Sequence, residues 1–296
     1  MEQRKSVKNQ DEAYDTEESY EVCKFCKIKS IFALSSILKI MNHSDKCKHK
    51  NSDEIIEEKN IGKCLESVKW ADEILIIDSF STDKTLEICK QYGAKILERE
   101  YIYPAEQKNW AIPQAKNPWI ILLDADEMAE AGMQAEIEQL LAGNLKYTAF
   151  WIRRKNYFLG KRVRFCGWQN DKVIRFFKRD LHRYENKMVH EEIERKGAIG
   201  KLKSIFIHNT AIDTTFYTQK IERYANYAAQ EIVKKKIRVN GFHLYIKPAH
   251  KFIVRYIIRG GFLDGKTGWI ICKLNAKETW LKAKNAIALQ KKQQFL

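Results

Sequence analysis

The 296-residue chain has no apolar run approaching the roughly 20 residues that a membrane-spanning helix needs. It has no internal repeat, which excludes a repeat array. Its opening stretch, "MEQRKSVKNQDEAYDTEE", is polar and charged, so no secretory signal is read there. A paired cysteine framework is missing too. The seven cysteines (23, 26, 47, 64, 89, 166 and 272) are scattered and odd in number, which fits free thiols in a reducing cytoplasm. Nor does any known nucleic-acid reader motif appear, despite a net charge of +15. What is present suffices for a real core: 45% hydrophobic and 11% aromatic residues argue against wholesale disorder.

The charge is unevenly spread. Residues 1–56 are neutral overall, 57–150 carry 10 basic and 17 acidic side chains, 151–213 carry 16 and 7, and 214–296 carry 17 and 4. An acidic first half of the body joined to a basic second half points to a cation site in one and an anionic surface for the other.

Along the chain, "EEKNIGKCLESVKWADEILI" (57–76) reads as a helix passing into a strand near Glu73, with Ile61, Leu65 and Val68 on one helical face. "DEILIID" is a buried strand, followed by a turn and a helix closed by Gly93. "AKILERE" is a third short element, and "AEQKNWAIPQAK" a helix. The aliphatic run Trp119–Leu123 reads as a strand buried on both faces, ending in Asp124, Asp126 and Glu127. This alternation argues for a mainly parallel α/β sheet. From residue 146 onward, aromatic and β-branched segments with basic residues between them suit antiparallel or edge strands, and the tail returns to helix.

Asp124 and Asp126 would stand at the carboxyl edge of the sheet, where open α/β folds bind ligands. Two carboxylates so close repel unless a positive charge sits between them, and a divalent cation is the usual solution. A strand end meeting solvent, with Asp126 or Glu127 starting a helix, is the alternative. "IIDSFSTDKT" ends a strand in Asp78, which can accept hydrogen bonds from a base or ribose hydroxyl; a plain helix N-cap by Ser81, Thr82 or Asp83 is the alternative. Lys108 can neutralise a diphosphate or be a solvated helix lysine. Asp171, Glu191 and Glu192 are the other acids near a site, and His190 and His208 are more often structural than catalytic.

Taken in order, an Asp-terminated strand with "STD", a "QKN" helix and a strand ending in Asp-x-Asp resemble the family 2 glycosyltransferases of the GT-A, Rossmann-like fold. "FLGKRVRFCGWQNDKVIRFFKR", "VHEEI" and "GGFLDGKTGW" resemble the branch with the β-1,4-glucosyltransferases of lipopolysaccharide inner-core synthesis. The resemblance runs from about Glu57 to the C-terminus. It implies an inverting hexosyltransferase in which Asp124 and Asp126 hold Mg²⁺ or Mn²⁺ against the diphosphate of a nucleotide-sugar, a UDP-sugar first among donors. Asp78 would contact the nucleoside, and Lys108 would lie near the base or phosphates. Glu191 is favoured as the base for the acceptor hydroxyl, with Asp171 second; spacing does not separate them. The acceptor would be a glycolipid or cell-envelope polysaccharide, lipid-linked or an oligosaccharide.

Residues 1–56 do not match. Where such enzymes carry a first strand, this chain reads "KHKNSDEIIEEKNIG"; "KSIFALSSILKIM" (29–41) is the only apolar stretch upstream and suits a substitute strand or a helix. Three parts follow: an atypical segment (1–56), a catalytic domain (57–213) and a basic amphipathic helical region (214–296). Cys23, Cys26, His43, Cys47 and His49 have zinc-ligand types with irregular spacing; isolated thiols are the other reading. In 214–296 the basic residues alternate with aromatic and aliphatic ones, which suits the anionic inner face of the cytoplasmic membrane better than nucleic acid. A degenerate relative without activity, and a basic nucleic-acid-binding protein, are the competing readings.

Overall fold

The computed structural model describes residues 30–34, 52–189, 191–211 and 213–294. His190 and the zinc-type cluster at 23–49 lie outside them. The first half runs β1 (Ser30–Leu34), α1 (Ser52–Val68), β2 (Glu73–Asp78), α2 (Thr85–Gln91), β3 (Lys95–Glu98), α3 (Pro104–Ala111), β4 (Trp119–Asp124), β5 (Glu127–Ala129) and α4 (Met133–Ala142). The second half runs β6 (Tyr147–Phe158), β7 (Lys161–Arg162), β8 (Lys172–Lys178), β9 (Ala198–Ala211), α5 (Thr214–Lys234), α6 (Lys247–Ile253) and α7 (Gly265–Gln294).

One sheet holds the strands in the order β3-β2-β1-β4-β8-β6-β9-β5, with β7 paired to β6. Strands β1 to β4 are mutually parallel. Beyond them β8 enters antiparallel to β4 and to β6, while β6 and β9 run parallel and β5 pairs antiparallel to β9, so the sheet is mixed. The switch follows from the connections. The helices between β1 and β4 return the chain to the same end of the sheet, whereas β6 and β8 are joined through β7 and a loop with no crossover helix.

The apolar stretch near residue 30 supplies a strand, not a helix, over Ser30–Leu34. Ala33 lies opposite Ile76 of β2 on one side and Leu123 of β4 on the other, so this segment closes the centre of the parallel half.

The central strands are buried on both faces, and the alternation of their side chains divides the core. Ile74, Ile76, Ile121 and Leu123 face α1, where Ile61, Leu65 and Val68 are fully buried. Leu75, Ile77, Ile120 and Leu122 face α3 through Ala105 and Ala111. Trp119 stacks on Phe176 with ring centroids 4.8 Å apart, and Phe150 follows at 5.4 Å from Phe176, binding β4, β8 and β6. A third cluster joins Phe158, Val163 and Cys166 to Ile271 and Cys272 of α7. There Gly268 meets the backbone carbonyl of Gly261 so closely that a Cβ would collide with it. The basic tail is therefore seated on the catalytic body, and α5 adds two more ties: Tyr227 donates to Ile102 O (3.1 Å) and Glu231 accepts from Met188 N (2.7 Å).

Proline in a doubly paired strand removes a ladder donor and clashes with its neighbour. Ala33→Pro is therefore expected to lower stability by at least about 1–3 kcal/mol, read by urea denaturation. An unchanged midpoint would contradict the central placement of β1.

Candidate active site

β4 delivers Asp124 to the carboxyl edge of the sheet, and the next residues do not start a helix. Instead Glu127 opens β5, whose pairing with β9 sets Glu127 opposite His208. Asn209 N donates to Asp126 O (2.9 Å), and Asp124 N donates to the Glu127 carboxylate (3.0 Å). This turn holds Asp124 and Asp126 on the wall of one cavity, with Lys108, Arg175, Lys220 and Arg223 among the residues around them.

Each acid there has a cation. Arg175 Nη2 donates to Asp124 Oδ2 at 2.7 Å. His208 Nε2 and Lys220 Nζ lie 3.5 and 3.8 Å from Asp126 Oδ2. Lys108 donates to Glu191 Oε1, and both side chains are nearly buried. Arg154 grips Asp171 with two bonds of 3.0 and 2.9 Å and reaches the fully buried Glu127 at 3.2 Å. Asn156 donates to Asp171 Oδ2 (2.7 Å), and its own carbonyl oxygen meets His208 Nδ1 at 2.7 Å.

Burial opposes ionisation of Asp124, but Arg175, followed by Lys108, Arg154 and His208, outweighs it and holds this carboxyl well below the usual range. Burial likewise opposes ionisation of Asp126 and Asp171. His208 and Lys220 overcome it at the first, Arg154 and Asn156 at the second, so both titrate below their ordinary value.

A second cavity adjoins the first, lined by Trp151, Trp168, Asp171, Lys172, Glu192 and Arg195 among others. Lys108, Arg154, Arg175, Glu191 and His208 line both and form the boundary. Lys172 and Arg195 each lie over the Trp151 ring, 4.8 and 5.3 Å from its centroid.

The structure thus brings together Lys108, Asp124, Asp126 and Glu191, and sets Asp171 in the adjoining cavity. Lys108 is not a solvated helix lysine. Asp78 stands apart: it is fully buried at the end of β2, both carboxylate oxygens accept from Ser81, and it lines neither cavity. The sequence reading offered Glu127 only as a third acid or a helix start, and it missed Arg154 and Arg175. Their signal was charge at an inward strand position, as in "KVIRFFK", where Arg175 sits between the buried Ile174 and Phe176.

Among the described residues no group of three or more His, Cys, Asp and Glu side chains is arranged to hold a metal ion. Asp124 and Asp126 still offer two ionised carboxylates on one cavity wall. That donor set fits a hard divalent cation that takes one or two carboxylates and completes its shell from substrate phosphates.

The model of the family described as "Glycosyl transferase family 2" matches residues 54–193. An uncharacterized glycosyltransferase of Rickettsia typhi is 26% identical over 256 residues, 78% of this chain and 87% of that protein. The lipopolysaccharide core biosynthesis glycosyltransferase LpsC of Rhizobium meliloti is 26% identical over 238 residues, 76% of this chain and 88% of LpsC. The crystal structure of Staphylococcus aureus TarS 1–349 is 14% identical with a TM-score of 0.43, covering 90% of this chain and 92% of that one.

Removing Arg154 leaves Glu127 and Asp171 without their shared cation, so Arg154→Met is expected to cost about 3–5 kcal/mol at neutral pH. The folded-state pKa of Asp171 is depressed, so its contribution is present above the ordinary carboxylate value and lost as pH falls through the folded one. The gap between the two proteins in urea denaturation should therefore narrow below about pH 4. A gap that widens on acidification would contradict this pairing.

Proposed function

With residues 54–193 a glycosyl transferase family 2 domain, we propose that this glycosyltransferase moves a hexose from a UDP-sugar to a saccharide acceptor of the cell envelope, with inversion at the transferred carbon. The observation that carries the reading is the place of Glu191, on the boundary of two cavities, one holding Asp124 and Asp126 and the other walled by Trp151 and Trp168. The first has the charges for a sugar diphosphate, and the second has the aromatic faces and polar groups for a saccharide. The likeness to LpsC supports an acceptor from the lipopolysaccharide core.

The donor diphosphate would enter beside Lys108, Arg175 and Lys220, cations that in the free protein are spent on Glu191, Asp124 and Asp126. Asp124 and Asp126 would hold Mg²⁺ or Mn²⁺; when bound, such an ion neutralises charge that develops on the departing diphosphate. We assign the nucleoside to the β1–β2 side, where Asp78 orders the turn through Ser81.

An acceptor hydroxyl in the second cavity attacks the sugar's anomeric carbon while the carbon–oxygen bond to the diphosphate breaks. Its proton passes to the Glu191 carboxylate, and the diphosphate leaves towards Lys108 and Arg175. One base suffices for this single displacement. Glu191 is preferred over Asp171 because Arg154 and Asn156 engage both oxygens of Asp171. Lys108 would hold Glu191 in place until the diphosphate draws it away.

The test is transfer of labelled sugar from UDP-glucose into an envelope fraction rich in lipopolysaccharide. Glu191→Gln is expected to lower the rate about 10²–10⁴-fold while keeping donor affinity within about threefold. Retained transfer in this variant, with loss in a folded Asp171→Asn protein, would hand the role to Asp171.

A further inference from the structure

Among the described residues no helix is long and apolar enough to cross a membrane. One face of the basic tail is nevertheless built to meet an apolar medium. Phe242–Ile246 and Val254–Ile258 are π-helical turns flanking α6, so residues 242–258 form a nearly continuous helix. Phe242, Ile246, Ile253 and Ile257 recur along it at steps of four, seven and four residues, hence on one stripe, and all are exposed. The stripe continues into the turn at Ile258, Phe262 and Leu263 and onto α7 at Trp269, with exposures between 47% and 71%. The Tyr256 ring ties these parts together, 6.3 Å from Phe262 and 5.3 Å from Trp269 by centroids. So large an apolar area marks an interaction site.

Its surroundings identify the partner. Residues 242–277 contain seven lysines and arginines and a single acid, Asp264. That acid is spent inside the molecule, accepting from Arg164 N (3.1 Å) and Phe165 N (2.8 Å). Two of the seven cations are engaged within the protein, Arg255 on Cys166 O and Lys277 on Glu222; the other five give the apolar face a mainly cationic rim, the complement of an anionic lipid surface with acyl chains beneath its headgroups.

Two further bonds link this face to the acceptor cavity. Arg255 Nη1 donates to Cys166 O (2.7 Å), and Gln169 Nε2 donates to Arg259 O (2.9 Å). The loop they hold runs on into Trp168, Asn170 and Asp171, a wall of the second cavity. We propose that the face made by residues 242–258, Phe262, Leu263 and Trp269 docks on anionic lipid, and thereby sets the acceptor cavity beside the bilayer. Docking stands apart from the transferase reading; only the supply of a lipid-linked acceptor rests on it.

The test is co-sedimentation of the full chain with vesicles of phosphatidylcholine containing about one-third phosphatidylglycerol, and with phosphatidylcholine alone. Ile257→Glu/Ile258→Glu, at exposed positions, is the variant, with the melting temperature and UDP binding followed in parallel. Wild type is expected to prefer the anionic vesicles by about tenfold or more. The variant is expected to lose at least about tenfold in binding with its melting temperature and nucleotide affinity unchanged. Equal sedimentation of both proteins would overturn the proposal. So would a wild-type dimer in light scattering that the variant turns into a monomer, since a second copy would then cover the face. A failure of UDP binding in wild type would overturn the donor-site reading and leave the lipid result intact.

Discussion

Arg175 reaches from β8 to Asp124 at the end of β4, joining an antiparallel strand to the parallel half of the sheet across 2.7 Å. Without that cation and its neighbours, the carboxylates at this edge would face one another in a partly buried cavity, and repulsion with burial would force some of them to take up protons. Arg154 does the same for Asp171 and also reaches Glu127, and Lys108 pairs with Glu191. Charge compensation at one sheet edge is thus what allows this fold to gather so many acids together, with Asp124, Asp126 and Asp171 held ionised. The mixed sheet is the means, because β6 and β8 carry the arginines to strands whose ends carry the acids.

The same pairing gives the site its chemistry. A buried ion pair is poor as a source of stability but useful as a store of oriented charge. In the proposed mechanism Lys108, Arg175 and Lys220, which neutralise acids in the free protein, would turn to a diphosphate, provided that something else then neutralises the acids. A divalent cation arriving with the diphosphate would fulfil that condition for Asp124 and Asp126, and the acceptor proton would fulfil it for Glu191. Asp171 has no such exchange partner. Its bidentate arginine and its asparagine make it a fixed part of the wall.

Much of this was legible in the sequence for physical reasons. The run Trp119–Leu123 had to be a strand buried on both faces, and its acids had to fall at the carboxyl edge. Ile61, Leu65 and Val68 marked the buried side of α1, and all three are fully buried. Other features were not legible, because they depend on pairing between distant strands. Arg154 and Arg175 looked like two more basic residues in a basic region, and only the register of β6 with β8 and β9 turns them inward. Asp171 and Glu191 were indistinguishable by spacing; the proposal of Glu191 as base rests on the contacts of Arg154 and Asn156 with Asp171. The first strand was hidden because Ser30–Leu34 lies in a segment without family pattern, and its five residues suit a helix or a strand until β2 and β4 offer two open edges.

The central claim is that Asp124 and Asp126 form a metal-assisted diphosphate site. The direct measurement is a calorimetric titration of the folded protein with UDP, with and without Mn²⁺, beside Asp124→Asn/Asp126→Asn. The account predicts binding that requires the metal and disappears in the variant, with the variant still folded. Binding of equal strength without metal, or binding that survives in the variant, would contradict it.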